Sequence, residues 1–149
     1  MTLQIQPQSK RVFIGRFECG YDLLAALTGF CKKNDIKLGT FNVIGAVKKA
    51  KLGYYNQEEK KYTYCIDLEK KMEIAACMGN ISQKDGEIMV HAHIVLSDLG
   101  GKTVGGHLLP DTEIFAAEFH IQEYTGAELN RIKDSVTGLP LWGNNKYKE

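Results

Sequence analysis

Alternation of apolar and polar residues over several short segments predicts a domain built mainly from β-strands. The alternation is clearest over residues 114–124, where one predicted face consists of Phe115, Ala117, Phe119 and Ile121 and the opposite face includes Glu118 and His120. Further strands are predicted over 11–18, 41–47, 52–55, 62–66, 72–78 and 88–96. The links between them are mostly of hairpin length, which favours an antiparallel or mixed sheet.

Two segments have the features of helices. Asp22 is suited to cap a helix whose apolar residues keep the three-to-four spacing of one buried face: Leu23, Leu24, Leu27, Phe30 and Cys31. Residues 125–128, Thr-Gly-Ala-Glu, have the spacing of a capping box and predict a short helix that carries Leu129 and Ile132. The expected fold class is α/β of the α+β type, with a central, largely antiparallel or mixed sheet, one main helix and short helices packed on it.

Length and composition narrow the classes of protein to consider. A chain of 149 residues favours one domain over 1–149, with its core at about 10–142 and short tails. No apolar run approaches the roughly eighteen residues of a membrane span, and the N-terminus lacks a secretory pattern. The four cysteines form no C-x-x-C pair, so we expect free, largely buried thiols and a cytoplasmic location. A net charge of +1, with three arginines among nineteen basic residues, gives no electrostatic argument for nucleic acid.

Three of the four histidines lie in one seventeen-residue stretch that begins at His91 and ends at His107 and also contains four glycines. His91 and His93 are two residues apart on a predicted strand, so their side chains leave the same face about 7 Å apart. With a three-residue loop at 99–101, His93 lies opposite His107, whereas a two-residue loop turns His107 to the other face. Gly101 suits the left-handed position of the three-residue loop, and a bulge at Gly105-Gly106 would reverse the parity.

Under the three-residue loop, three imidazoles converge within reach of one metal ion. Zinc suits such a set because three neutral imidazoles leave a fourth coordination position open, and nickel, copper or iron remain alternatives by ligand type. Gly105 and Gly106 would leave the space above the ion accessible. The competing interpretation is a plain hairpin whose histidines are surface residues, because an H-x-H pair also occurs by chance.

Two other groups of residues are weaker candidates. Glu118 is a candidate general base or a partner to a metal ligand, and His120 shares its predicted face; the alternative for both is a solvated surface. The cluster Lys48-Lys49-Ala-Lys51 precedes Tyr54 and Tyr55, which is compatible with contacts to a nucleic acid. A solvated strand edge that discourages aggregation is the more ordinary explanation of such lysines.

The chain resembles the PPC (plants and prokaryotes conserved) domain, which accompanies AT-hook motifs in nuclear DNA-binding proteins of plants and stands alone in prokaryotes. The similarity runs over about 10–142, and its most specific part is the pairing of His91-Ala-His93 with Gly105-Gly-His-Leu108. Other matching segments are the strand at 11–18, Gly20–Leu24, Gly45–Val47, Leu52–Tyr55, Ala117-Glu118 and Thr137–Leu139.

The resemblance implies a homotrimer, a metal held by His91, His93 and His107, and Glu118 near that metal. It also implies DNA binding, although this chain contains no R-G-R-P motif of an AT-hook. His120 stands where the family has an aliphatic residue, so it takes no role from the resemblance. Two alternatives to a DNA-binding protein stay open: a zinc-type enzyme that acts on a small substrate, and a scaffold that recruits protein partners.

Overall fold

A computed structural model of the chain describes residues 3–143, with the side chains of 63–65 excepted; the tails predicted at residues 1–2 and 144–149 lie outside this range. The described chain forms one helix, α1 (Leu23–Lys33), and nine strands. The strands are β1 (Gln8–Phe17), β2 (Gly39–Asn56), β3 (Lys61–Leu68), β4 (Met72–Lys84), β5 (Glu87–Ser97), β6 (Thr103–Leu108), β7 (Glu113–Thr125), β8 (Asn130–Lys133) and β9 (Pro140–Gly143).

All nine strands belong to one sheet, in the order β1-β7-β2-β6-β5-β4-β8-β9, with β3 paired to β2. Every strand pair is antiparallel except the short contact between β4 and β8, so the sheet is mixed, as expected. The two strands predicted at 41–47 and 52–55 are one long strand, β2. Its first half pairs with β4 and β7, and its second half pairs with β3 and β6.

Helix α1 covers the buried side of the sheet. It begins where predicted, because Asp22 Oδ1 accepts a 2.7 Å hydrogen bond from the Ala25 amide. Leu23, Leu27 and Cys31 are its buried residues. Phe30 extends the contact to the sheet, with its ring centroid 5.0 Å from that of Phe119. The apolar stripe predicted from the sequence is therefore the face that packs on the core.

The opposite side of the sheet, which we call the outer face, carries side chains that alternate with the buried ones. One row of directly opposed residues crosses six strands of this face: Ile14, His120, Asn42, Met78, His93 and His107. The next row runs through Val12, Gln122, Thr40, Asn80 and His91. Opposed side chains in such rows are direct neighbours, so the histidines and the polar residues of β2, β4 and β7 share one surface.

Two predictions about local structure are wrong. Between Thr125 and Gly143 the structure contains no helix; residues 130–133 form β8, whose Arg131 lies opposite Trp142 of β9. The Leu129 carbonyl accepts a hydrogen bond from the Gln83 amide of β4, so pairing with distant strands overrides the capping-box pattern. Phe115, predicted on the core face, is 59% exposed because a bulge lies between the pairs Ala46–Ala116 and Val47–Ile114.

Two other findings concern thiols and membrane spans. Cys31 and Cys77 are buried and free, as expected, whereas Cys19 is free but exposed; the side chain of Cys65 lies outside the described residues. Burial raises the pKa of both buried thiols to about 12. Over residues 3–143, no helix has the length and apolar character that crossing a membrane requires.

A buried carboxylate ties β7 to the N-terminal strand. Glu123 is 2% exposed, and its side chain accepts hydrogen bonds from Arg11 Nε and, at 3.0 Å, from Lys10 Nζ. The hydrogen bond from Arg11 is the main reason that the pKa of Glu123 lies below its ordinary value of 4.5, although burial acts in the opposite direction.

We expect Glu123→Gln to destabilise the protein by about 1–3 kcal/mol at neutral pH, because the buried position loses its charged hydrogen bonds. In the unfolded chain the carboxyl titrates near 4.5. Its contribution is therefore complete above that pH and is lost as the pH falls through the lower pKa of the folded state. Urea unfolding of both proteins across this range measures the effect. The matched control is Glu87→Gln, which removes the exposed pair with Lys32 and should change stability far less; equal losses would contradict the assignment.

Candidate metal centre

The hairpin of β5 and β6 has the register that brings all three histidines to the outer face. His93 lies opposite His107, and the pairing continues without a shift to Ser97 and Thr103. The Gly101 amide donates to the Asp98 carbonyl at 2.9 Å, and Gly101 has a φ of 78°. The three-residue loop and its left-handed glycine are therefore confirmed, and the register contains no bulge at Gly105-Gly106.

The three imidazoles form one compact cluster. Each ring offers one nitrogen that lies within 4.8 Å of the corresponding nitrogen of the other two. The ring centroids of His91 and His107 are 5.0 Å apart, and His93 lies 5.2 Å from His91 and 5.6 Å from His107. His91 and His107 are half-buried, whereas His93 is exposed. The cluster therefore has a buried base and an opening to solvent on the side of His93.

The glycines before His107 allow close packing of backbone. A Cβ added to Gly105 would lie 2.9 Å from the Ile94 carbonyl oxygen, and one added to Gly106 would lie 2.9 Å from that of Gly53. Strand β6 is thus held between β5 and β2 at distances that a side chain would disturb. The glycines hold His107 in place, a different role from the open space that the sequence suggested.

The guanidinium of Arg131 lies beside the His91 ring. Arg131 donates to Ser82 Oγ at 2.9 Å and to Asn80 Oδ1 at 2.7 Å, and its Nη2 lies 3.5 Å from His91 Nδ1. The pKa of His91 is lowered to about 4, mainly by burial and in addition by the positive charge of Arg131 and by the other two imidazoles. At neutral pH this imidazole is uncharged and keeps a lone pair for a ligand.

His107 has an unsatisfied buried atom. Its Nδ1 is buried without a hydrogen-bond partner among the described residues. The ring lies against Tyr62, with centroids 5.3 Å apart, and burial lowers the pKa of the imidazole. A buried polar atom without a partner is costly, and a bound ligand would remove that cost.

The cluster fits a divalent transition metal. Three uncharged imidazoles are ligands that zinc accepts at about 2.0–2.1 Å, which corresponds to nitrogens about 3.4 Å apart in a tetrahedral site. The observed separations of up to 4.8 Å exceed this value by an amount that small side-chain rotations can close. His91, His93 and His107 would hold the ion, and the ion would supply a Lewis acid with a free coordination position.

The other candidate residues lie elsewhere. Glu118 is exposed on β7, opposite Ile44 of β2, which is two residues from Asn42 in the row that leads through Met78 to His93. Three strand spacings, about 14 Å, separate β7 from β5 in that row, so one chain does not bring Glu118 to the histidines. His120 shares the outer face with the cluster, in the row that contains Asn42 and Met78, but it is no member of the cluster.

The lysine cluster is largely neutralised by carboxylates. Lys48 Nζ lies 2.7 Å from Glu113, and Lys51 Nζ lies 3.0 Å from Asp111 and 3.8 Å from Asp67. These pairs leave little net positive charge around the lysines, which weakens the nucleic-acid interpretation. The segment is no sheet edge either, because Lys49 pairs with β7 and Lys51 with β3.

Comparison with known proteins identifies the family. The family model of the Plants and Prokaryotes Conserved domain matches residues 4–125. The chain belongs to this family. A metal-containing protein from Archaeoglobus fulgidus is 33% identical, with a TM-score of 0.91 over 96% of this chain and 100% of that one. A plant- and prokaryote-conserved (PPC) protein from Pyrococcus horikoshii is 37% identical, with a TM-score of 0.89 over 96% of this chain and 98% of that one.

Other similar proteins extend the comparison. A protein from Bacteroides thetaiotaomicron, described only provisionally as DNA-binding, is 27% identical, with a TM-score of 0.81 over 92% of this chain and 96% of that one. Curated relatives are the bifunctional protein GlmU of two Synechococcus strains; one is 30% identical over 87% of this chain. The chain spans about a fifth of the length of these relatives.

Sequence reasoning missed two residues of this PPC-domain site. Arg131 and Tyr62 contact the histidines from segments 40 and 45 residues away from His91 and His107, respectively. No local pattern indicates such contacts. Two facts could have drawn attention to Arg131. It is one of only three arginines in the chain, and it follows the predicted apolar position Leu129 by two residues.

We expect Gly106→Ala to destabilise the protein, because the new methyl group would lie 2.9 Å from a backbone oxygen of β2. The control is Gly29→Ala in α1, where a Cβ meets no atom within 4 Å. That change should stabilise the helix by about 0.5–1 kcal/mol. Thermal unfolding measures both, and a neutral or stabilising Gly106→Ala would contradict the close packing of β6 against β2.

Proposed function

We propose that this PPC-domain protein binds a divalent transition metal, with zinc as the expected ion, through His91, His93 and His107. The observation that carries the proposal is the convergence of three imidazole nitrogens within 4.8 Å on one rigid hairpin. The unpartnered Nδ1 of His107 and the metal-containing relative from Archaeoglobus fulgidus support it. The exposed position of His93 leaves room for water or a small ligand at the remaining coordination position.

DNA binding is the second proposal, and it rests on the family. The provisional description of the Bacteroides relative supports it. The charge of this chain adds little, because its net charge is +1 and the lysines at 48 and 51 are paired with carboxylates. Any such binding would therefore depend on few phosphate contacts, and its salt dependence would be shallow.

A homotrimer in the cytoplasm is the expected state of the protein. Self-association is supported at the β1 end of the outer face, where Val12 and Ile14 are 54% and 81% exposed. Neighbouring subunits would also give Glu118 a route to the histidines of another chain, which one chain does not provide. Sedimentation equilibrium measures the assembly directly.

Two alternatives differ in what the histidines do. In a zinc-type enzyme, the three histidines would hold an ion that would supply a Lewis acid for hydrolysis of a small substrate, and Glu118 of a second subunit would act as the general base. In a scaffold, the histidines only stabilise the hairpin. Loss of metal without loss of folding in a histidine variant supports the metal proposals over the scaffold.

We expect protein purified without a histidine tag to contain close to one metal ion per chain. His91→Ala, His93→Ala and His107→Ala should each remove most of it, since two imidazoles hold zinc far less tightly than three. His120→Ala is the matched control, because this fourth histidine shares the outer face and stands outside the cluster. Elemental analysis gives the metal content. Wild type without metal, after incubation with zinc and removal of the excess, would refute the proposal.

We expect weak binding to mixed-sequence duplex DNA that strengthens modestly as the salt concentration falls. Fluorescence anisotropy of a labelled duplex at low and moderate salt measures it. The absence of a signal at both salt concentrations would remove the DNA proposal and leave the metal proposal untouched.

A further inference from the structure

A pocket of about 680 Å³ lies on the outer face beside the histidine cluster. Its volume is within the range of about 300–1,000 Å³ that small-molecule sites occupy. The residues that matter for its chemistry are Asn42, Asn80, His120, Gln122, Tyr124 and Trp142. None of these residues belongs to the metal cluster.

Strand register explains why these side chains meet. Asn42 of β2 lies opposite His120 of β7 and Met78 of β4, which forms one row of the pocket floor. The second row contains Gln122, Thr40 and Asn80. Trp142 reaches the pocket from β9, where the guanidinium carbon of Arg131 lies 5.6 Å from its ring centroid. The pocket surface is thus mostly apolar, with a few polar side-chain groups in its floor and the Trp142 ring at its wall.

The polar groups of the floor are mostly available to a ligand. The side chains of Asn42 and His120 make no hydrogen bond to another residue within 3–143. Asn80 uses its Oδ1 to accept from Arg131, which leaves its Nδ2 available, and Gln122 uses its Nε2 to donate to the Glu123 carbonyl at 2.7 Å. The pocket therefore offers both donors and acceptors.

The charge and shape of the pocket limit the ligand. Its lining includes no Asp, Glu, Lys or Arg side chain, and the nearby guanidinium of Arg131 is already bonded to Ser82, Asn80 and the Pro140 carbonyl. No charged side chain of the lining therefore faces a phosphate or an ammonium group. A flat indole ring favours a planar partner, and carboxamides pair with the edges of heterocycles that carry adjacent donors and acceptors. An uncharged purine-type ring satisfies both conditions.

We propose that this pocket binds the ring of a free purine nucleoside, stacked on Trp142 and hydrogen-bonded along its edge by Asn42 and Asn80. This site goes beyond the metal centre and needs no metal. It lies next to that centre, because Asn80 is the direct cross-strand neighbour of His91, and Met78 is that of His93. A base within single-stranded DNA carries the same ring, so the experiment separates the two sources.

Trp142 is the chain's single tryptophan, so its fluorescence reports on the pocket alone. Adenosine is titrated into metal-free protein, prepared by chelation, and into zinc-loaded protein, with excitation at the long-wavelength edge of tryptophan absorption. We expect saturable quenching in both samples. Asn42→Leu and His120→Ala should each weaken binding at least tenfold, because both remove polar groups of the floor. Gln57→Leu, an exposed position in the turn between β2 and β3, should leave it unchanged.

Several results would overturn the proposal: linear quenching that does not saturate, equal affinity in Asn42→Leu, or saturable binding that appears only with an oligodeoxyadenylate. The pocket and the metal centre can also fail separately. His91→Ala should lose metal and keep adenosine binding, whereas His120→Ala should keep metal and lose adenosine. Loss of adenosine binding in folded His91→Ala protein would refute an independent nucleoside site.

Discussion

The pairing of β2 with four other strands is the constraint on which the rest of the structure depends. Its first half lies between β7 and β4, and its second half contacts β3 and β6. Since β4, β5 and β6 are successive antiparallel neighbours, they lead from one half of β2 back to the other. The register along this strand thus decides both where His107 lies, opposite Gly53, and where the pocket floor forms, around Asn42.

Features that depend on neighbours in sequence could be predicted. The α1 boundary follows from Asp22 and an apolar stripe, and the hairpin register follows from Gly101 and the length of one loop. Features that depend on distant pairing could not. The bulge that exposes Phe115 is set by β2, and β8 exists because its neighbours are β4 and β9. In each case, pairing with strands distant in sequence determined the structure, against the preference of the local sequence pattern.

The same division applies to the candidate site. The proximity of His91, His93 and His107 could be predicted because all three belong to one hairpin. Arg131, whose charge adds to the effect of burial on His91, belongs to a strand that was not predicted. The lysine cluster could not be interpreted from its local sequence either. That sequence suggests a basic patch, but the carboxylates that pair with Lys48 and Lys51 are about sixty residues away in the chain. Composition indicates which charges are present, and the fold decides which of them are neutralised.

Asn80 connects the two sites of the outer face. Its carboxamide oxygen holds Arg131, whose guanidinium lies beside His91, while its other end faces the pocket. A ligand that draws Asn80 away from Arg131 alters the field at an imidazole of the metal cluster. Thermodynamic linkage then requires that the two effects be equal. If a ligand in the pocket changes the affinity for the metal by some factor, the bound metal changes the affinity for that ligand by the same factor. Either ligand would then bind alone, and each would change the affinity of the other by one shared factor.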